Sequence, residues 1–459
     1  MRSRKSSGSW WCSWSDPSAV GGSGLKGCYL RGPMNRSRDS REAGKPRSPL
    51  LFVFLTVFID LLGFGIVIPL LPVYSEMYRA GPAMIGLLMA SFSAMQFVFA
   101  PFWGRLSDRI GRKPVLVGGL IGTAGAYALF ALSDSLPLLF AARLLAGFFG
   151  ANVSTAQAYI ADVTTPENRA KGMGLIGAAF GLGFCFGPLL GGELTHISAS
   201  APGWFAAGLS LAAAIFGWIT LREPARVPGA VTRVFGLEQV RRAASEPRLG
   251  ILFVLGFAFI AAFSSFESMF TVFGLARFPE VFGLSQPVDS ASTEEILRAA
   301  PVTGRYLAGI GIVSAIIQGG LIRRLVPRFG ETKLAIAGPA ILGLGLVGLA
   351  LAPSWGFVVV ACLVLPIGFG LNNPSLSSLL SRAAPPAEQG SYLGLNQSVS
   401  SLARMAGPLT AGFVFEHFGP TSPFVMGAIL LFFSTFLALR YDRRFGASFP
   451  RVAKGAAPA

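Results

Sequence analysis

The stretch LLFVFLTVFIDLLGFGIVIPLLPV, Leu50 to Val73, carries one charge, Asp60, in 24 residues. A helix rises 1.5 Å per residue, so roughly 20 apolar residues cross the ~30 Å hydrocarbon core of a bilayer. A run this long with no polar face reads as a membrane span. Similar runs recur near Ile85–Trp103, Pro114–Leu132, Pro137–Ala161, Met173–Leu194 and Trp204–Leu221. A polar basic stretch follows, and then Leu249–Leu275, Tyr306–Ile322, Leu334–Leu351, Gly356–Leu380, Tyr392–Val414 and Pro423–Leu439. The chain is therefore expected to be an all-α integral membrane protein with 12 transmembrane helices in two six-helix bundles. The bundles fall at 50–221 and 249–440, with a cytoplasmic linker at 222–248, a cytoplasmic tail at 441–459 and an N-terminal tail at 1–49.

Composition supports this. Hydrophobic residues make up 52% of the 459 and charged residues 13%, against ~25% charged in soluble domains. Gly is abundant without a period of three, and Cys185 and Cys362, two of the four cysteines, lie inside apolar runs. Collagen-like and disulfide-scaffold classes are excluded. The net charge of +16 would suggest nucleic-acid binding in a soluble protein. Here the basic residues alternate with spans. With both termini in the cytoplasm, 32 of the 38 Lys and Arg residues are cytoplasmic. Arg79, Arg277, Arg298 and Arg305 fall in outer loops, and only Arg143 and Arg404 lie within spans. That is the positive-inside pattern, and no nucleic-acid partner is expected.

Residues 1–49 stand apart. They hold ten basic residues, clustered Ser and Gly, and no apolar core of a secretory signal, so they read as a disordered basic tail with Met34 as an alternative start. Gly22–Gly27 spells GxGxxG, but no strand precedes it and no dinucleotide site is inferred.

The chain also repeats itself. Displaced by 220 residues, Asn152 meets Asn372, Pro166 meets Pro386, Gly174 meets Gly394, Gly187-Pro188 meets Gly407-Pro408 and Gly192 meets Gly412. Displaced by 219, Leu106, Arg109 and Gly111 meet Leu325, Arg328 and Gly330. Two parallel halves with a ligand site between them is a transporter architecture. Asp60 lies about ten residues into its span, ~15 Å deep, where a carboxylate is costly and normally faces a cavity or a partner. Gly183, Gly187 and Gly191 recur every four residues and present a smooth helix face, and Pro188 favours a bend. The pair is read as a hinge between rocking halves or as close packing.

The segment GRLSDRIGRKP, Gly104 to Pro114, joins the second and third spans. With Gly104, Asp108, Arg109, Gly111, Arg112 and Lys113 in place, it resembles the loop signature of the major facilitator superfamily. IDLLGFGIVIPLLP (Ile59–Pro72), RLLAGFFGANVSTAQAYIAD (Arg143–Asp162) and GLGFCFGPLLGG (Gly181–Gly192) extend the likeness. Together they are similar to drug–proton antiporters of the tetracycline-efflux branch, over about Leu50 to Arg440.

The resemblance implies a proton-driven efflux antiporter working by alternating access. Asp60 and Arg143 would couple protons, with fixed packing pairs as the alternative. Glu267 is either a second protonation site or an interfacial residue. The Asp108 group would latch the cytoplasmic side, and Gly183, Gly187, Pro188, Gly191 and Gly192 would form the antiporter helix motif. Gln96, Asn152, Gln157, Asn372, Asn373, Gln397 and Arg404 either line a substrate cavity or bond helices together. No aromatic box is singled out among the 39 Phe residues. Two departures point away from tetracycline and toward apolar or amphipathic drugs. Ala126, not an acid, precedes Tyr127, and the ninth span, Leu334 to Leu351, holds no acid.

No phosphate loop for ATP occurs, so no cofactor or metal is expected and the proton gradient supplies the energy. The expected partners are the bilayer, protons and a small-molecule substrate. The chain is expected to act as a monomer in the inner membrane. A metabolite symporter or uniporter and a non-transporting membrane sensor are the alternatives. With only His196 and His417 and no nucleophile constellation, an enzyme is not expected.

Overall fold

The computed structural model describes residues 49–150, 152–163, 166–223, 241–242, 245–385 and 389–445. Residues 1–48 of the expected tail, most of the 222–248 linker and 446–459 lie outside the described residues. The described residues contain helix and no strand, arranged as rods that we number α1 to α12. The first six are α1 (Pro49–Val67, continued by Leu70–Met77), α2 (Pro82–Ile110), α3 (Arg112–Ala131), α4 (Leu136–Phe149 and Asn152–Val163), α5 (Pro166–Leu194) and α6 (Ala201–Thr220). The second six are α7 (Pro247–Arg277), α8 (Ala299–Ile316, a π-turn at Ile317–Leu321, then Ile322–Phe329), α9 (Glu331–Ala350), α10 (Trp355–Ala383), α11 (Gln389–Phe418) and α12 (Ser422–Phe445). All but α5 and α11 include candidate membrane spans by length and composition, ten in number. α5 and α11 are rods of 29 and 30 residues packed among them. Large apolar side chains such as Trp218, Phe357 and Ile429 are exposed on the bundle surface, as a lipid-facing belt requires.

Several helices outrun the apolar stretches that announce them. α2 continues through Gly104–Ile110, so the signature expected as a loop is mostly helix, broken at Gly111. Hydropathy marks where the chain contacts lipid, whereas helical hydrogen bonding continues into the polar region until a residue interrupts it. Gly111, with φ +111°, is that residue, and Gly330 with φ +82° is its counterpart in the second half.

Packing follows the internal repeat. In the first half α1 packs on α5 and α6, α3 on α4 and α6, and α2 on α4. In the second half α7 packs on α11 and α12, α9 on α10 and α12, and α8 on α10. Each contact has its mate six rods later. Between the halves, α2 meets α11 and α5 meets α8, and these two contacts are again mates.

Candidate functional site

Both halves place a carboxylate within the bundle. In the first, Gly150 follows the Leu136–Phe149 piece of α4 and Asn152 opens its second. Asn152 is buried, and its Nδ2 donates to Asp60 Oδ1 of α1 at 3.0 Å. Gly119 on α3 makes the room, because a Cβ there would collide with Asn152 Oδ1. The Tyr127 ring is within Coulombic range of both Asp60 and Arg143. Arg143 is 3% exposed and lies over the Phe92 ring at 4.6 Å. Its Nε has no hydrogen-bond partner among the described residues.

In the second half, Glu267 on α7 is half-buried and within Coulombic range of Arg404 on α11. Arg404 Nη2 donates to Ser401 Oγ at 3.2 Å. Glu267 also lines a cavity between α5, α7, α8 and α10 whose empty space, part of it open to solvent, is about 820 Å³. Phe184, Phe263, Phe266 and Phe369 form its aromatic wall, with Phe263 and Phe369 centroids 4.4 Å apart. Gln318, on the π-turn of α8, and Asn373 add polar edges. π-turns recur at functional sites because they redirect a side chain without ending the helix.

The two halves meet mainly toward the end of the bundle opposite the termini, here the far side. The approach is backbone on backbone. A Cβ on Gly86 of α2 would strike the Pro408 carbonyl of α11, and one on Gly304 of α8 would strike the Pro188 carbonyl of α5. These contacts are mates under the repeat. Charged groups reinforce the same side. Arg305 Nε donates to Glu193 Oε1 at 2.7 Å, joining α8 to α5, and Glu416 of α11 accepts from the Ala83 amide of α2 at 3.0 Å. Arg79 donates to the carbonyls of Val288 and Ala291, both at 2.9 Å.

At the side of the termini, Arg112 Nη1 pairs with Asp108 Oδ1 at 2.6 Å and its Nε with Asp162 Oδ2 at 3.0 Å, tying α3 to the ends of α2 and α4. The second half has a matching pair with the charges exchanged. Glu331 stands where Arg112 does, Arg382 where Asp162 does, and they pair at 2.8 Å. Glu223, just past α6, accepts from the amides of Arg112 and Lys113 at 2.6 and 2.9 Å and so caps α3. Removing this cap, Glu223→Ala, is expected to destabilise the protein by about 0.5–2 kcal/mol, with Glu223→Gln intermediate. A thermal melt of the detergent-solubilised chain would check it, and unchanged midpoints would count against the cap.

Of the residues singled out in the sequence, Asp60, Asn152 and Arg143 gather with Tyr127 in the first half. In the second, Glu267 lies within Coulombic range of Arg404 and lines the cavity. Asn373 lines that cavity. Asn372 is buried against Gly338 with its Nδ2 unpartnered among the described residues. Gln157 and Gln397 are half-buried outside the cavity lining. Gln96 bonds the Gly150 carbonyl at 2.7 Å. Gly183, Gly187 and Gly191 lie against Leu61, Gly65 and Ile66 of α1, inside one half. The face that meets the other half is Cys185, Pro188 and Gly192. Lys113 lies over the Trp218 ring at 5.2 Å. Sequence reasoning missed Glu223, Gln318 and the four-Phe wall.

The Major Facilitator Superfamily pattern matches residues 53–408 and 324–458. Over 374 residues the chain is 33% identical to the tetracycline resistance protein, class C, of Escherichia coli, covering 80% of this chain and 89% of that one. Over 375 residues it is 32% identical to multidrug resistance protein 1 of Bacillus subtilis (strain 168), covering 81% and 91%. Among solved structures, the human organic anion transporter MFSD10 (TETRAN) aligns with a TM-score of 0.66 at 26% identity, covering 86% of this chain and 100% of that one. An inward-facing, occupied bacterial homologue of the human lysosomal transporter Spinster aligns with a TM-score of 0.69 at 17% identity, covering 90% and 100%, and speaks for the fold alone.

Proposed function

Because the chain belongs to the Major Facilitator Superfamily, we propose that it is a proton-coupled efflux antiporter for small apolar or amphipathic drugs, acting as a monomer in the inner membrane with both termini cytoplasmic. On the positive-inside pattern the side of the termini is the cytoplasmic side, and the far side is the outer one. The described arrangement, joined at the outer side, is then inward-facing. The bundles at 50–221 and 249–440 rock against each other, with the 222–248 linker in the cytoplasm.

The observation that carries this reading is the cavity itself. An aromatic wall suits a planar apolar drug, and Glu267 in the same wall supplies a group able to exchange a proton. Asp60, held by Asn152 and within range of Tyr127, is the second such group. The transported drug is the substrate, the proton gradient is the energy source, and no cofactor takes part. The names of the resistance-protein relatives support the direction, outward. Membrane-inserted drug exchanged for an entering proton is the reaction.

Everted vesicles test it. With an acid interior and ethidium outside, dye is expected to accumulate and to leave when a protonophore is added. Accumulation that ignores the gradient would overturn coupling, and none in a panel of amphipathic dyes would overturn drug transport.

A further inference from the structure

The two carboxylate centres belong to different halves, yet polar contacts reach from the neighbourhood of one toward the other. Gln96 on α2 donates through Nε2 to the Gly150 carbonyl at 2.7 Å, just past α4's first piece. Two residues on, Asn152 holds Asp60. That bond fixes the Gln96 amide so that Oε1 faces the other half. Ser401 Oγ on α11 lies 3.4 Å from it. The same hydroxyl is 3.1 Å from the Gln397 carbonyl on its own helix, and it accepts from Arg404 at 3.2 Å. Arg404 in turn is the electrostatic partner of Glu267.

A serine hydroxyl has one proton to donate. Ser401, which is 4% exposed, has two acceptors in range and no water-facing alternative. It therefore has two arrangements: one within its own half and one across the boundary between halves. From this geometry we infer that Gln96 and Ser401 are positioning residues that couple the Asp60 centre to the Glu267–Arg404 centre, the Ser401 proton moving between Gln397 and Gln96. When Arg404 is drawn to a charged Glu267, its hold on Ser401 changes and the cross-half bond responds. When the halves rock, α2 slides past α11, the Gln96 bond is lost and Ser401 returns to Gln397. Such a discrete two-state element, biased from both ends, is the physical form that coupling takes. The inference rests on the antiport reading.

The test uses the full chain in proteoliposomes and reads protons moved per ethidium transported. Ser401→Ala and Gln96→Met are each expected to lower that ratio about five-fold or more, the lower bound of ordinary site–site coupling. The double variant is expected to fall no further, and Ser401→Thr, which keeps the hydroxyl, to retain the parent's ratio. A lower transport rate at an unchanged ratio means the two residues only support packing and overturns the link, as do losses that multiply in the double variant. A parent that moves no protons for ethidium would instead speak against the antiport reading.

Discussion

Asp60→Asn is expected to abolish uphill efflux while leaving the protein folded and able to equilibrate drug across the membrane. The substitution is isosteric. The Asn152 Nδ2 donor, 3.0 Å from Asp60 Oδ1, finds an amide oxygen in the same place, so the α1–α4 contact survives. The variant loses only the capacity to bind and release a proton. For a neutral drug exchanged for one proton, each 100 mV of membrane potential supplies ~2.3 kcal/mol, roughly a fifty-fold concentration ratio. That ratio should collapse to unity in everted vesicles, and drug-induced proton movement should vanish with it. Undiminished proton movement would remove Asp60 from the coupling machinery and leave Glu267 to account for it.

The second large effect concerns the seal between halves. Gly304→Val puts a branched side chain where the Pro188 carbonyl already lies, and Gly86→Val does the same at the mate contact with Pro408. Overpacking of this kind costs about 1–3 kcal/mol. On the inward-facing reading proposed above, the cost falls on the arrangement closed at the outer side and spares the arrangement open there. The equilibrium should therefore move by roughly five- to 150-fold toward outward opening, and turnover should fall by a similar factor, because each cycle must pass through the penalised state. Cys185 reports the change. It is buried beside Gly311 on the same α5–α8 face, whereas Cys362 is buried within the second half. Maleimide labelling, read peptide by peptide, should rise at Cys185 and stay low at Cys362. Parent-like labelling together with parent-like turnover would show that the contact does not gate transport.

What the sequence made legible follows from the range of each interaction. Apolar run length is a local property, so the spans could be placed from it. The repeat was legible because Gly187-Pro188 and Gly407-Pro408 keep their spacing. The ends of helices were not, since Gly104–Ile110 is polar by composition yet helical by hydrogen bonding. Glu223 caps a helix that begins 111 residues earlier, and no spacing rule connects the two. Glu267 and Arg404 were each visible as a charge within a span, but their pairing depends on how α7 meets α11. The exchanged pairs Arg112–Asp162 and Glu331–Arg382 were within reach of the repeat, had charge been compared as well as identity. The aromatic wall was hidden by abundance, because nothing in the sequence distinguishes Phe263 or Phe369 from the phenylalanines that touch lipid.

The closure at Gly86 and Gly304 is made of main chain fitted against main chain, and shape of that kind is indifferent to dissolved ions. The Glu193–Arg305 bond beside it is exposed and is weakened once counterions crowd within the ~8–10 Å over which charges are felt. On the orientation proposed above, a cell moved from fresh to brackish surroundings would thus weaken the electrostatic part of this door and keep the steric part.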